Sequence, residues 1–506
     1  MSIFATKSIE QLKAEAATTG EHALKRVLGP INLVTLGIGA VIGTGIFVLS
    51  GTTAADNAGP AIVLSMVFAG TSGALAGLCY SEFASTVPIA GSAYTYGYAT
   101  LGEFVAWVIG WDLILEYALG AATVAVGWSG NLTSFLHDFV GVDFPARFSA
   151  APGTVVDTAA GPVTAMLNLP AVIITALVTV LIIVGIKESA TVNSAIVFIK
   201  VAVVLIVIVG GAAYVNPANW HPFIPPNTGT FGEYGWSGVL RGGGVIFFAY
   251  IGFDAVSVAA QEARHPQRDM PIGILGSLVI CTVLYILVSG VMVGLVPYQQ
   301  MKGSPAPMVV AIRAAEQASG GSALLHTMTM LVELGAIAGL SSVMVVMMMA
   351  QPRVFYAMAH DGLLPPFAKK IHPTFRTPHI TSLITGVVVA LAAGLTPIGV
   401  LGQMVSIGTL MAFVIVSIGV IFLRYQRPEL DRPFRVPFVP YLPALSAIVS
   451  LGLMASLPAA TWLRLVIWMA LGIVLYFAYG YGHSELRKGE VGAAPRVAPR
   501  SRSVGL

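Results

Sequence analysis

Residues 37–47 read GIGAVIGTGIF. The stretch is apolar, yet four of its eleven residues are glycine, and Thr44 separates the last two. Glycine costs a helix about 1 kcal/mol relative to alanine. Three readings compete. A dinucleotide-binding fingerprint fails, because after Gly37 and Gly39 the third glycine should fall at Ile42. Close packing of membrane helices through Gly39-x-x-x-Gly43 fits the residue types. A discontinuous helix, whose unwound backbone becomes a ligand, fits them as well.

A second stretch tips the balance. Residues 242–256 read GGGVIFFAYIGFDAV, glycine-rich at the start, interrupted at Gly252 and followed by Asp254. It lies five apolar spans after the first. A pair of weakened spans at equivalent positions in two halves is the pattern of an inverted-repeat transporter. Irregular backbone survives at mid-membrane only where protein or a water-filled cavity satisfies it. The N-terminus of a half-helix offers free N–H groups and a positive dipole, which suit a carboxylate. Free carbonyls at the other break suit an ammonium group. Together the breaks describe a receptor for an α-amino acid.

The composition places both stretches in a bilayer. Of 506 residues, 56% are hydrophobic and 10% charged, and the mean hydropathy is +0.84. A soluble chain carries about 25% charged residues, so this is an all-α polytopic membrane protein. The net charge of +3 gives no case for nucleic acid. Cys79 and Cys281 lie in apolar spans and predict neither disulfide nor metal site. His22, His265, His360, His372 and His379 show no metal spacing. No cofactor is expected; the coupling ion would be a proton. Residues 1–28 lack the short apolar core of a cleaved signal peptide.

Spanning helices need about 20 apolar residues each. The candidates, about twelve, run near 31–51, 60–86, 101–132, 166–186, 192–214, 238–262, 271–296, 323–359, 378–396, 398–423, 440–457 and 461–483. The organisation expected is a cytoplasmic segment 1–30, a first five-helix repeat 31–214, a second, inverted repeat 238–423, two further helices 440–483, and a disordered basic tail 484–506. Residues 137–163 and 216–237 lie outside the spans; the second, with NPANWHPFIPP, reads as a packed cap. An even count puts 20 of the 26 basic residues on the side of both termini. Positive charge stays cytoplasmic, so both termini are expected inside a multi-pass plasma-membrane protein.

Ionisable groups deep in a bilayer cost at least about 2.5–3.5 kcal/mol each and are functional candidates. Lys200 sits in SAIVFIKVAVVLIVIVG, some ten residues from the polar KES at 187–189, or about 15 Å along a helix. Snorkelling competes with proton loading as its reading. Asp112 and Glu116, spaced i, i+4, share a helix face. Each could hold a cationic side chain, carry a proton, or bond a neighbouring helix. Asp254 could anchor the break or meet substrate. Glu333 shows no obvious partner. Met344, Met347, Met348 and Met349 read as adaptable core packing, one of them able to shape the pocket.

At these residues the chain resembles the amino acid–polyamine–organocation transporter superfamily, especially bacterial members of its cationic amino acid transporter branch. The matching stretches are GIGAVIGTGIFVLSG, CYSEFASTVPIAGSAYTY, GWDLILEY, VNSAIVFIK, FFAYIGFDAVS and QPRVFYAMAHDGLLP, in order across most of the membrane domain. The resemblance implies an inverted 5+5 repeat (LeuT-like) with discontinuous helices 1 and 6, plus two C-terminal helices, and alternating access to a central site. It implies that the substrate carboxylate meets Gly43, Thr44 and Gly45, and the amine meets carbonyls near Val41, Phe248, Ala249 and Ile251. It assigns Lys200 to proton coupling, Glu116 and Asp254 to recognition of amine or cationic side chains, and Met344 to pocket size.

The leading expectation is a proton-coupled amino acid importer, cationic or broad in preference. An exchanger, with Lys200 only structural, stands as the alternative; a non-transporting sensor has little support. No nucleophile–base pair argues for an enzyme, and no ring of like charges for a channel. The partners expected are an amino acid and the lipid bilayer; a helical membrane partner would leave no trace in this sequence.

Overall fold

The protein was analysed as a computed structural model, which describes residues 3, 5–7, 28–86, 92–158, 161–185, 190–258 and 263–489. Most of the expected segment 1–30 and of the tail 484–506 lies outside these residues, so neither expectation meets a structure here.

The first apolar span is broken. Helix α1 (Pro30–Val41) starts on proline, whose fixed φ suits a first turn. It ends where Ile42 turns extended, with ψ of 99°. The chain then resumes as a helical run, Gly45–Thr86. That run turns at Gly59, with φ of +59°, and continues as α2 (Ile62–Thr86). The short α3 (Ser92–Thr100) precedes a long helix. The long helix consists of α4 (Glu103–Ile114), a π-turn at Leu115–Leu119 and α5 (Gly120–Phe135).

Two apolar helices follow. In α6 (Leu169–Val184) the Asn168 side chain caps the start by accepting from the Ala171 N–H, and Gly185 ends it at φ +82°. The next is α7 (Ala190–Ala212). The second broken span comprises α8 (Gly235–Ile246), a tight turn at Phe247–Tyr250, and α9 (Ala255–Val258). Then come α10 (Pro266–Leu295), α11 (Pro307–Ala318), α12 (Ala323–His360), α13 (His379–Leu395), α14 (Ile398–Gln426), α15 (Tyr441–Ser456), α16 (Ala459–Leu475) and α17 (Glu485–Lys488).

Among the described residues, seven helical runs are long and apolar enough to cross a membrane, and four shorter apolar helices accompany them. Phe198 and Val209 on α7 are 75% and 73% exposed, as a lipid-facing surface requires. The chain is thus a helical multi-pass membrane protein.

Two elements outside the spans are absent from the sequence expectation. Residues 137–163 lead into an antiparallel hairpin, β1 (Val155–Thr158) and β2 (Gly161–Thr164). Helix α11 lies between the spans 271–296 and 323–359, in a stretch given no element of its own. The segment 216–237 packs as a cap: Tyr234 OH donates to Ala55 O, and Trp220 Nε1 donates to Gly290 O at 3.1 Å.

Lys7 and Glu485, far apart in the chain, meet at Asp361. Lys7 Nζ lies 2.6 Å from Asp361 Oδ1, and the Glu485 N–H donates to Asp361 O at 3.1 Å. Helix α16 is held to α4 by indoles. Trp107 Nε1 donates to Gly472 O and Trp111 Nε1 to Trp468 O, each at 2.8 Å.

Candidate functional site

The two breaks pack directly on one another. A Cβ at Gly45 would collide with Ala249, so only glycine lets the second half-helix approach the turn 247–250. At Gly252 φ is +112°, and a Cβ there would stand 2.8 Å from the Ala40 carbonyl oxygen. Both conditions select glycine.

The last four carbonyls of a helix have no intrahelical partner, and here three of the four in α1 are paired. Ile38 O accepts from the Ile42 N–H at 2.9 Å. Gly39 O accepts from Lys200 Nζ at 2.8 Å. Val41 O accepts from Tyr285 OH at 2.8 Å. The fourth, Ala40 O, faces Gly252. On the far side of the break, Gly43, Thr44 and Gly45 open the resumed helix, where N–H groups stand free of intrahelical bonds. Ile46 N–H already turns back to Gly43 O at 3.2 Å. The hydroxyl of Thr44 is buried without a hydrogen-bond partner among the described residues.

The second break is pinned from α14. Ser406 Oγ accepts from the Phe248 N–H and donates to Val245 O, both at 3.1 Å. Phe248 O accepts from the Ile251 N–H at 3.2 Å. A carbonyl has two lone pairs, so Val41 and Phe248 each retain one.

Lys200 is completely buried. Its stem runs past Gly339 of α12, where a Cβ would stand 3.0 Å from Lys200 Cε and Cγ. The ammonium points to the end of α1 rather than to the surface, so it does not snorkel.

Glu116 sits in the π-turn, a feature common at functional positions. It lies within hydrogen-bond reach of Asp254 and Thr409. Tyr117 OH donates to Asp254 Oδ2 at 3.3 Å. The two acids therefore meet at the end of the second break. Met344 is buried, but the α12 residue beside Gly43 is Val343, whose Cγ2 would stand 3.5 Å from a Cβ there. Sequence reasoning missed Val343, Tyr285, Ser406 and Tyr117. The sequence around them carries no signal, since each matters through a helix distant in the chain.

Glu333 has partners that the sequence did not show. Ser134 Oγ donates to Glu333 Oε1 at 2.7 Å, and Arg313 of α11 lies 3.6 Å from the same oxygen while pairing with Asp138. This cluster joins α5, α11 and α12.

Paired helix breaks in a polytopic membrane protein, one held by a buried lysine, define a membrane transporter. A family model described as amino acid permease matches residues 28–481. The chain belongs to the amino acid permease family of the amino acid–polyamine–organocation superfamily, and its relatives are transporters rather than enzymes. It is 44% identical over 488 residues to the methylthioribose transporter of Bacillus subtilis (strain 168), covering 96% of this chain and 100% of that one. It is 44% identical over 487 residues to the branched-chain amino acid permease BcaP of the same organism, covering 96% and 99%. It is 32% identical over 586 aligned positions to the vacuolar cationic amino acid transporter 4 of Arabidopsis thaliana, covering 92% and 94%.

Proposed function

We propose that this permease imports L-amino acids by proton-coupled alternating access across a bacterial plasma membrane, with both termini cytoplasmic. The observation that carries the reading is the Lys200 ammonium on the Gly39 carbonyl, 2.8 Å away, beside the break. A cation at a helix C-terminus is favoured by the helix dipole. Loss of the proton weakens that hold and frees α1 to tilt, which would tie proton release to opening of the site. The architecture we adopt is two inverted five-helix repeats, 31–214 and 238–423, with two added helices at 440–483. The breaks in the first and sixth spans support it.

The substrate carboxylate would take the N–H groups of Gly43, Thr44 and Gly45, and its amine the carbonyls of Val41, Phe248, Ala249 and Ile251. Side-chain preference has two readings. Glu116 and Asp254 could recognise a cationic side chain, in line with the plant relative's name. The contact between those acids, with Val343 beside Gly43, favours small or branched apolar side chains, in line with the BcaP name. We adopt a broad range that includes both.

The test is uptake of labelled leucine, arginine, alanine and glutamate into Na⁺-free proteoliposomes with an inward proton gradient. Accumulation that collapses with a protonophore supports the reading and ranks the substrates. Entry only into vesicles preloaded with amino acid would instead establish exchange.

A further inference from the structure

Asp112 takes no part in the site described above, yet it is 1% exposed inside a membrane helix. It lies nine positions from Glu103, which Arg487 and Ser484 bind. That places it about 14 Å along the helix from Glu103, with Glu116 one turn further on. Asp112 and Glu116 point along the seam between α4 and α14. A Cβ at Gly408 of α14 would stand 3.0 Å from Asp112 Oδ1. That glycine leaves the carboxyl against bare backbone.

Neither Asp112 Oδ1 nor Glu116 Oε1 has a hydrogen-bond partner among the described residues. Buried polar atoms are nearly always paired, so each such atom calls for an explanation. A purely structural role explains them poorly, because a structural carboxyl would bond the neighbouring helix. Nor does a cation explain them. Arg424 and Arg432 are engaged with Glu82, Arg487 with Glu103, Lys7 with Asp361, and Lys200 with Gly39. Facing Asp112 are Glu116 from its own helix and Gly408 from α14; Thr409 of α14 reaches Glu116.

We propose that Asp112 is a proton-relay residue that receives the proton lost by Lys200, by way of the Asp254–Glu116 pair, and carries it toward the Glu103–Arg487 end of the helix. The inference rests on the proton-coupled reading above. The O–H bond on Glu116 breaks, one forms on the Asp112 carboxylate directly or through one water, and the proton then leaves to water at that end. Asp112 touches no substrate in this scheme.

The test compares Asp112→Asn and Asp112→Glu with wild type in the same proteoliposomes. Two quantities are read: accumulation driven by a proton gradient, and amino acid counterflow at equal pH, which needs no net proton movement. In Asp112→Asn accumulation should fall by about tenfold or more, as loss of a proton-transfer group does, while counterflow falls far less. Asp112→Glu should recover accumulation. Equal loss of both quantities in Asp112→Asn, or no loss of accumulation, would overturn the relay. So would Asp112→Glu failing to accumulate while retaining counterflow. Wild type that shows counterflow but no protonophore-sensitive accumulation would overturn the proton-coupled reading itself, and the relay with it.

Discussion

Lys200 Nζ donates to the carbonyl of Gly39, a residue 161 positions earlier, at 2.8 Å. The bond joins α7 to the end of α1 at the break. Lys200→Ala removes a charge and leaves a buried carbonyl without its donor, a loss of about 1–3 kcal/mol. Proton-driven accumulation should collapse, while substrate binding, measured by ligand-induced thermal shift, should persist. Accumulation ratios equal to wild type would remove Lys200 from the coupling.

Gly252 is bound by its own backbone angle and by Ala40. Gly252→Ala should cost about 1–3 kcal/mol of stability. It should also displace α1, and so reduce transport more than a comparable substitution in the lipid-facing part of α7. A melting curve and an uptake assay on the same preparation would check this. Unchanged uptake would mean that the two breaks do not depend on their contact.

Val343, rather than Met344, flanks Gly43. Val343→Ala should shift preference toward larger apolar side chains by about 1–3 kcal/mol, the worth of a methylene or two in a pocket. Competition between alanine, leucine and phenylalanine would read it out. The companion variant Glu116→Gln, read by counterflow at equal pH so that its proton transfer does not enter, should weaken arginine and lysine more than alanine. An equal loss of counterflow for all substrates would place Glu116 in amine binding or structure.

Arg313 of α11 meets Asp138 and the fully buried Glu333. Arg313→Gln leaves Glu333 with Ser134 as its remaining side-chain partner. Breaking a buried pair costs about 3–5 kcal/mol, and Arg313 is partly exposed, so a loss at or below the lower end is expected. The melting temperature should fall, and the double variant Arg313→Gln/Glu333→Gln should recover part of it. Additive losses would show that the two residues do not interact.

Much of this arrangement is legible in the sequence, for physical reasons. Gly43, Gly45 and Gly252 weaken two spans that stand five apart, and the pairing, more than any one glycine, marks the breaks. Lys200 stands out because an isolated charge in an apolar run is costly. The partners are harder to read. Nothing near Tyr285 or Ser406 tells that one reaches Val41 and the other Phe248, because periodicity reports a helix face and not the residue opposite. Helix α11 escapes because it is short and carries Arg313 and Glu316 among its apolar residues, too little apolar sequence to register as a span. Glu333 looks isolated because its partners come from α5 and α11.

The central claim, that amino acid entry carries a proton with it, has one direct measurement. A pH-sensitive dye is sealed inside Na⁺-free proteoliposomes at equal pH on both sides, the membrane potential is clamped, and leucine or arginine is added outside. Acidification of the lumen that depends on substrate, and is absent in Lys200→Ala, is the expected result. Labelled amino acid crossing the membrane with no change in luminal pH would contradict the account.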